Sequence, residues 1–268
     1  MGSFSVHSGG AHISPIQVVG DAILHKLNAQ SKCRVAIEGP FAAGKDWVQH
    51  RLEQFIIGQG ISREIIFKLG MDEVLLPREG IGSREEMQET APERWRNNME
   101  WYRFPLLLDT LSRISVASAG NEVLFENLYK EGTIGHNKLF KIAEDGKWVG
   151  FFNGIYVLMP EFRRYFDLIV YVHAPFTVRF QRQFDRASAR GYEVTTFEVF
   201  PSTKLGEAIL GVYEPTYNRY LSEFYPFDCV QFFIDNSGLG DPMLMKESVV
   251  KNFTSSRSFL AEIPRGEK

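Results

Sequence analysis

The sequence lacks several features that define whole classes of protein. It has only two cysteines, Cys33 and Cys229, and neither belongs to a Cys-x-x-Cys or Cys/His cluster. This makes a zinc site improbable and is typical of a reduced, cytoplasmic protein. No apolar run reaches the roughly 18 residues of a membrane span. The first ten residues lack the basic and apolar regions of a secretory signal.

The chain also lacks an excess of positive charge. Its 30 lysines and arginines are outnumbered by 33 aspartates and glutamates, for a net charge of −3. There is therefore no global basic field to attract a nucleic acid or a membrane surface, and neither is expected as a partner. The 268 residues, 44% of them hydrophobic, can bury a sizeable core. We expect a flexible leader over residues 1–14, one domain over 15–246 and a polar tail over 247–268.

Hydrophobic periodicity alternates along the chain between helical and strand spacing. An Asp-Gly step within 137–152 is a hairpin signal, and the polar segment 79–93 is interpreted as a mobile loop. Several strands are continuously apolar, which favours a parallel sheet covered on both faces. The predicted helices are 15–29, 46–57, 98–116, 175–190 and 202–224, and the predicted strands are 33–37, 64–69, 123–128, 168–172 and 229–234.

The sharpest motif lies between the first strand and the second helix. Gly39-Pro40-Phe41-Ala42-Ala43-Gly44-Lys45 fits the GxxxxGK pattern of a phosphate-binding loop. Backbone N–H groups of such a loop converge on phosphate oxygens, and the following helix dipole favours negative charge. We therefore predict that Gly39, Phe41, Ala42, Ala43, Gly44 and Lys45 bind the nucleotide, with Lys45 reaching its β- and γ-phosphates.

The residue after the lysine departs from the usual pattern. Asp46 stands where a Ser or Thr hydroxyl normally binds Mg²⁺. A carboxylate about 4 Å from a phosphate charge is repelled by roughly 4 kcal/mol at an effective dielectric near 20. Because Mg²⁺ readily accepts carboxylate ligands, a metal ion between the two groups would reverse that sign. The site is thus predicted either to depend on metal in an unusual way or to bind nucleotide poorly.

Several further segments, together with this loop, resemble the uridine kinase and phosphoribulokinase branch of P-loop kinases. The resemblance runs from about Cys33 to about Ser237 and is one of motifs, not of close identity. It implies an α/β P-loop NTPase fold: a parallel sheet flanked by helices on both faces, with an inserted β-hairpin and a helical lid. The segments that carry it, besides the loop, are 69–78, 99–108, 125–130, 150–158 and 166–190.

The resemblance implies roles for individual residues. Asp72 corresponds to the carboxylate that takes the proton of the acceptor hydroxyl, and Asn153 lies where the family has a metal-associated Glu. Arginines at helical spacing share one helix face and suit the charge of a transferred phosphoryl group. The predicted set is catalytic Asp72, Lys45, Arg182 and Arg186, substrate-binding Asp72, Tyr102, Tyr129 and Arg179, and metal-binding Asp46 and Asn153.

The sequence is compatible with three functional hypotheses. The first is an ATP- and Mg²⁺-dependent kinase of a small hydroxylated molecule, such as a nucleoside, a sugar phosphate or a pantothenate-like acceptor, with homo-oligomer assembly left open. The second is a catalytically degenerate, regulatory protein that binds a nucleotide or phosphorylated metabolite. A third uses Ile37-Glu38-Gly39, which also resembles deoxynucleoside and thymidylate kinases, although their acidic-Arg-Ser segment is missing. Lys130 follows Tyr129 where uridine kinases usually have Asp, which argues against uridine itself as acceptor.

Overall fold

The computed structural model describes residues 14–79, 82–191, 196–238 and 242–245. The expected leader therefore lies almost entirely outside the described residues, and the expected tail lies wholly outside them. Their boundaries, and that of the single domain, stay predictions. Within the described residues no helix is both long and apolar enough to cross a membrane.

A six-stranded sheet forms the centre of the described structure. Its order is β2-β5-β1-β6-β7-β8, and all neighbours are parallel except the short terminal strand β8. Strands β1, β5 and β6 are almost continuously buried, as expected of parallel strands covered on both faces. The strands are β1 (Lys32–Glu38), β2 (Ile66–Gly70), β5 (Trp148–Gly154), β6 (Leu168–His173), β7 (Phe232–Asp235) and β8 (Met243–Leu244).

Helices cover both faces of this sheet, so the hydrophobic core consists of two layers, one on each face. One face packs on α1 and α2, around Val19, Ile23, Val48 and Leu52. The opposite face carries a larger cluster that is rich in aromatic side chains. The helices are α1 (Pro15–Gln30), α2 (Lys45–Gly58), α3 (Arg84–Thr90), α4 (Pro92–Trp95), α5 (Phe104–Val116), α6 (Pro160–Arg163), α7 (Phe176–Ala189), α8 (Lys204–Ala208) and α9 (Glu214–Phe224).

The inserted hairpin is present, but the Asp-Gly step does not form it. Strands β3 (Glu122–Lys130) and β4 (Thr133–Lys141) pair antiparallel across Glu131 and Gly132, both at positive φ. The Asp145-Gly146 turn instead leads from β4 to β5, which pairs with β1 and β2 of the central sheet. The predicted hairpin over 137–152 is therefore wrong. The local turn signal is real, but burial of β5 on both faces places it in the parallel sheet.

Two other predicted elements differ from the structure. The supposed loop 79–93 contains α3, whose cap Ser83 accepts a hydrogen bond from Glu86 N while Glu86 accepts one from Gly82 N. The Ser-x-x-Glu signature of a capping box was therefore present in the sequence and was missed, although Glu86 accepts from Gly82 N and not from the N–H of the cap residue itself. The predicted helix 98–116 is divided into a 3₁₀ turn, Asn98–Trp101, and α5. Pro105 lacks the N–H that a continuous helix would direct to Trp101 O, which instead accepts from Leu76 N at 2.7 Å.

The long C-terminal helix contains a change of hydrogen-bond pattern. Ile209–Tyr213 is π-helical and joins α8 to α9 without a break. Pro215 lacks the amide hydrogen that an α-helix would direct to the Gly211 carbonyl, which accounts for the irregularity. Cys229, predicted in a strand, belongs to the 3₁₀ turn Pro226–Cys229 before β7.

Candidate active site

The phosphate loop connects β1 to α2 and its glycines are required by geometry. Gly44 has φ 95°, and a Cβ there would lie 2.1 Å from Asn236 Nδ2. Gly39 has φ 154°, and a Cβ there would lie 2.3 Å from Val172 O. Both positions therefore exclude side chains, so that the loop backbone stays close to β6 and to the end of β7. This confirms the strand–loop–helix context that the motif needs.

Lys45 is the first residue of α2 and folds back over its own loop. Its Nζ donates hydrogen bonds to Gly39 O at 2.9 Å and Pro40 O at 2.8 Å. Burial lowers the pKa of this ammonium, whereas the neighbouring carboxylates Glu38, Asp46 and Asp72 raise it. Three acidic groups thus surround one lysine at the carboxyl edge of the sheet.

Asp46 and Asn153, predicted separately as metal ligands, are in direct contact. Asn153 Nδ2 donates to Asp46 Oδ1 at 2.7 Å. The amide Oδ1 of Asn153 is buried and has no hydrogen-bond partner among the described residues. Asn153 lies at the end of β5 and is only 6% exposed, whereas Asp46 is exposed in the first turn of α2.

This pair fits a magnesium ion that is completed by phosphate and water. Mg²⁺ prefers oxygen ligands and is usually held by one or two carboxylates together with substrate phosphates. The unpartnered Asn153 oxygen and the exposed Asp46 carboxylate can act as oxygen ligands of that kind. No group of three or more His, Cys, Asp or Glu side chains suited to a metal occurs in the described part of the chain. Within the described residues, Asp46 and Asn153 would therefore supply two oxygen ligands, and phosphate and water would complete the coordination shell.

Asp72 lies in the 3₁₀ turn Met71–Val74 that follows β2. Its side chain is accessible to solvent, yet nearby protein desolvates the carboxyl and raises its pKa, so Asp72 lies in an open cleft and not on a convex surface. Lys45 acts in the opposite direction, Asp46 adds to the rise, and Arg84 and Arg186 lower the pKa. The sequence-predicted base is thus brought to the same edge of the sheet as the phosphate loop.

The neighbouring acid, Glu73, is engaged elsewhere. Both of its carboxylate oxygens accept hydrogen bonds from Lys138 Nζ at 2.6 Å. Lys138 belongs to β4, so this ion pair ties the hairpin to the turn that carries Asp72. Of the two adjacent carboxylates, Glu73 is paired in this way, whereas Asp72 forms no ion pair among the described residues.

The predicted arginines of α7 have separate surroundings. Arg182 donates to Ala42 O and Ala43 O at 3.3 Å and to Asn236 O at 2.7 Å, so it contacts the phosphate loop. Arg186 is exposed and close enough to Asp72 to affect its pKa. Arg179, expected to bind substrate, is 5% exposed and forms a buried two-bonded ion pair with Glu214. Its guanidinium is thereby occupied, and the structure assigns it to holding α7 against α9.

Aromatic side chains form one wall of the cleft. Trp101 packs edge-on to Tyr213 with ring centroids 5.6 Å apart, and Tyr213 packs in the same manner on Phe41 of the phosphate loop at 6.0 Å. The predicted Tyr102 and Tyr129 join Trp101 in this cluster. Arg84 lies over the rings of Trp101 and Tyr129. Asp72 lies close enough to this cluster for its charge to raise the pKa of Tyr102 and of Tyr213.

Sequence reasoning gave no role to Glu38, Arg84, Tyr213 or Asn236. Glu38 is fully buried and accepts hydrogen bonds from Gly39 N at 3.0 Å and from Leu158 N, Tyr217 and Tyr220 at 3.3 Å. Burial raises the pKa of this carboxyl to about 7, although Lys45 lowers it. The position of Glu38, at the end of an apolar strand and directly before the phosphate loop, could have indicated from the sequence that it belongs to the site. Nothing local in the sequence marks the other three.

Solved structures of low sequence identity share this fold. A possible uridine kinase from Bacillus stearothermophilus matches at 17% identity and a TM-score of 0.54, over 82% of this chain and 96% of that chain. A candidate fructose transport system kinase from a Silicibacter species matches at 13% and 0.55, over 78% and 95%. A candidate P-loop kinase with a circular permutation, from Saccharomyces cerevisiae, matches at 12% and 0.57, over 83% and 99%.

These similarities confirm the predicted fold class. The chain has the P-loop kinase fold, with a mostly parallel sheet flanked by helices, and at this fold level it is similar to uridine kinase-like structures. No known family model matches the chain, and no curated protein does so either. The roles of the individual site residues stay predictions.

Proposed function

We propose that this protein is an ATP-dependent phosphotransferase acting on a hydroxyl group of a nucleoside-like or sugar-like small molecule. The observation that carries the proposal is the convergence of Lys45, Asp46 and Asp72 in one cleft, where their charges influence one another. Phosphoryl transfer needs positioning and charge neutralisation more than covalent chemistry. A cationic loop opposite a carboxylate base is the minimum arrangement for that reaction.

Each group has one role in the proposed reaction. The loop amides and Lys45 bind the phosphates, and Lys45 exchanges its bonds to Gly39 O and Pro40 O for phosphate oxygens. Asp72 orients the acceptor hydroxyl and accepts its proton; its raised pKa makes it a stronger base than an ordinary aspartate. Arg182 and Arg186 neutralise charge on the transferred group. Mg²⁺, held by Asp46 and Asn153, would neutralise phosphate charge when bound.

Replacement of Asp72 tests the proposed chemistry. Asp72→Asn keeps the shape but cannot accept a proton, so phosphoryl transfer should fall by about 10²- to 10⁴-fold. Binding of ATP should be unchanged. ADP release would be measured with a panel of nucleosides, sugar phosphates and pantothenate. Asp109→Asn, at an exposed helix position paired with Arg113, is the matched control. Transfer by Asp72→Asn at the control rate would contradict the assignment.

The second candidate is a nucleotide- or phosphate-binding protein without turnover. It is favoured by the absence of the loop hydroxyl and by the hydrogen bonds that Lys45 already makes to its own loop. Such a protein would bind nucleotide without regard to Mg²⁺. The cytoplasmic location, the lack of nucleic-acid and membrane partners and homo-oligomer assembly are parts of the proposal that stay predictions.

A further inference from the structure

Arg84 is held rigidly in the aromatic wall of the cleft. It is the first residue of α3 and is half-buried. Its guanidinium carbon lies 5.4 Å from the ring centroid of Tyr129 and 5.8 Å from that of Trp101. One Nη2 hydrogen bond, 2.9 Å long, reaches the Tyr129 hydroxyl. These contacts hold the guanidinium against the two rings, and the bond to Tyr129 is the one side-chain hydrogen bond that Arg84 donates among the described residues.

Arg84 forms no ion pair with any acid in the part of the chain that the structure describes. Among the described residues no carboxylate lies within 4.0 Å of it, whereas Arg78 and Arg94 on the same segment pair with Glu85 and Glu100. The Nε of Arg84 is buried and has no hydrogen-bond partner within the described structure. A buried donor on a charged group is costly to leave unpaired, so a partner of opposite charge is expected.

The unpaired charge points to the same cleft as the candidate base. Arg84 lowers the pKa of both Asp72 and Tyr213, although desolvation dominates and raises both. One small molecule could therefore contact Asp72 through a hydroxyl and Arg84 through a second group. That second group must accept hydrogen bonds from a planar, fixed guanidinium, as a carboxylate or a phosphate does.

We propose that Arg84 is a specificity-determining anion site, so that the acceptor carries its own carboxylate or phosphate in addition to the hydroxyl that receives the phosphoryl group. This inference rests on the proposed function to identify the bound molecule as the phosphoryl acceptor, but anion binding itself requires no turnover. Neutral nucleosides and sugars would fill the pocket and leave Arg84 unpaired. A purely bracing role for Arg84 between two rings would leave anion binding unaffected by its removal.

Tryptophan fluorescence tests the anion site directly, because Trp95 and Trp101 lie beside it. Trp47 lies within two positions of Lys45 and would report the phosphate loop, so all proteins would carry Trp47→Phe. Inorganic phosphate and acetate are titrated at low ionic strength. We expect a saturable emission change with Arg84 present, loss of that change in Arg84→Gln, and retention in the matched surface variant Arg78→Gln.

Arg84→Lys keeps the positive charge but not the planar guanidinium. It provides a second test in case Arg84→Gln does not fold. Arg84→Lys should bind the anion more weakly than the parent protein and more strongly than Arg84→Gln. The comparison holds when both variants unfold at the same temperature as the parent protein. An unchanged response in Arg84→Gln, or no response with either anion in the parent protein, would overturn the proposal. A response to one anion and not the other supports the site and identifies its ligand as carboxylate or phosphate.

A second arm separates this inference from the proposed kinase activity. Acceptors are compared in pairs that differ in one anionic group, such as nucleoside and nucleoside monophosphate or pantothenol and pantothenate. The ratio of kcat/KM for the anionic over the neutral member should fall by about 10- to 100-fold in Arg84→Gln, chiefly through KM. Anion-dependent fluorescence without turnover of any pair would retain the site and reject the kinase, whereas turnover with an unchanged ratio would reject the site alone.

Discussion

Asp46 and Asn153 are two departures from the P-loop kinase pattern that meet in one hydrogen bond. The sequence shows a carboxylate gained after Lys45 and another lost at the end of β5. Their contact at 2.7 Å supports the hypothesis that they exchange roles and keep one negative charge at the metal position. The rival interpretation, independent decay of a catalytic site, predicts no such coupling.

A double-mutant cycle distinguishes these interpretations. Asp46→Thr and Asn153→Glu each restore one group of the usual pattern and should each impair Mg²⁺-dependent ATP binding, because the remaining partner is then mismatched. The double variant should recover binding to near the wild-type level, with a coupling energy of about 1–3 kcal/mol. Calorimetry on all four proteins measures it. Additive losses in the double variant would show that the two sites act independently.

Glu38 is the second residue with a measurable signature. Its carboxyl is buried beneath the phosphate loop among Tyr217, Tyr220 and two backbone amides. Its pKa rises from an ordinary 4.5 to about 7. The folded protein therefore retains a proton that the unfolded chain releases, between about pH 4.5 and pH 7.

This proton uptake predicts how the free energy of unfolding depends on pH. The contribution of Glu38 to the free energy of unfolding is therefore most favourable below about pH 4.5, where the carboxyl is protonated in both the folded and the unfolded state. That contribution is lost as the pH rises through about 7, because the folded state binds more protons than the unfolded chain in this interval. The decline is about 3 kcal/mol. Glu38→Gln should abolish it in urea unfolding measured from pH 5 to pH 8. Exposed Glu126→Gln is the control and should behave as wild type; an equally steep decline in Glu38→Gln would exclude Glu38 as its source.

At the scale of elements, the buried ion pair of Arg179 and Glu214 joins α7 to the start of α9. Removal of one partner leaves an uncompensated buried charge, so Arg179→Met and Glu214→Gln should each lower the free energy of unfolding by about 3–5 kcal/mol. The charge-free double variant Arg179→Met, Glu214→Gln should lose much less than the sum of the two single losses. Chemical denaturation measures all three.

An exposed pair on the same helix serves as the comparison. Arg219 and Glu223 are both about half exposed, and Arg219→Met should change stability by less than about 1 kcal/mol. Equal losses for the buried and the exposed arginine would contradict the bracing role of Arg179. Arg179 was assigned to substrate from the family resemblance and the helical spacing of the arginines, and that spacing gives a common face but not which part of it is buried.

Elements with a long, consistent pattern could be predicted from the sequence, and those set by tertiary context could not. Strands β1 and β6 and helices α1, α2 and α7 were found within about two residues of their observed bounds. The Asp145-Gly146 turn was misassigned because its local chemistry is the same for a hairpin and for a connection into a parallel sheet. The π-helical segment was missed because it depends on the hydrogen bond that Pro215 cannot make.

At the scale of the whole molecule, the site exists because parallel strands end at one edge of the sheet. The end of β1 leads into the loop, β2 leads to Asp72, and Asn153 is the penultimate residue of β5. Motifs in order along the chain could therefore predict this half of the site. The aromatic wall with Arg84 brings together α3, the 3₁₀ turn at Trp101, the hairpin and the π-helical segment, and no local pattern specifies that assembly.

The proposed function requires that this cleft bind a nucleotide through a phosphate loop whose metal position is Asp46. Calorimetric titration with ATP, with and without Mg²⁺, tests it most directly, with Lys45→Ala as the control that removes the loop cation. We expect tight binding only with Mg²⁺, and a loss of at least about tenfold in Lys45→Ala. Binding that is indifferent to Mg²⁺, or no binding at all, would contradict the account and indicate a P-loop fold that no longer serves phosphoryl transfer.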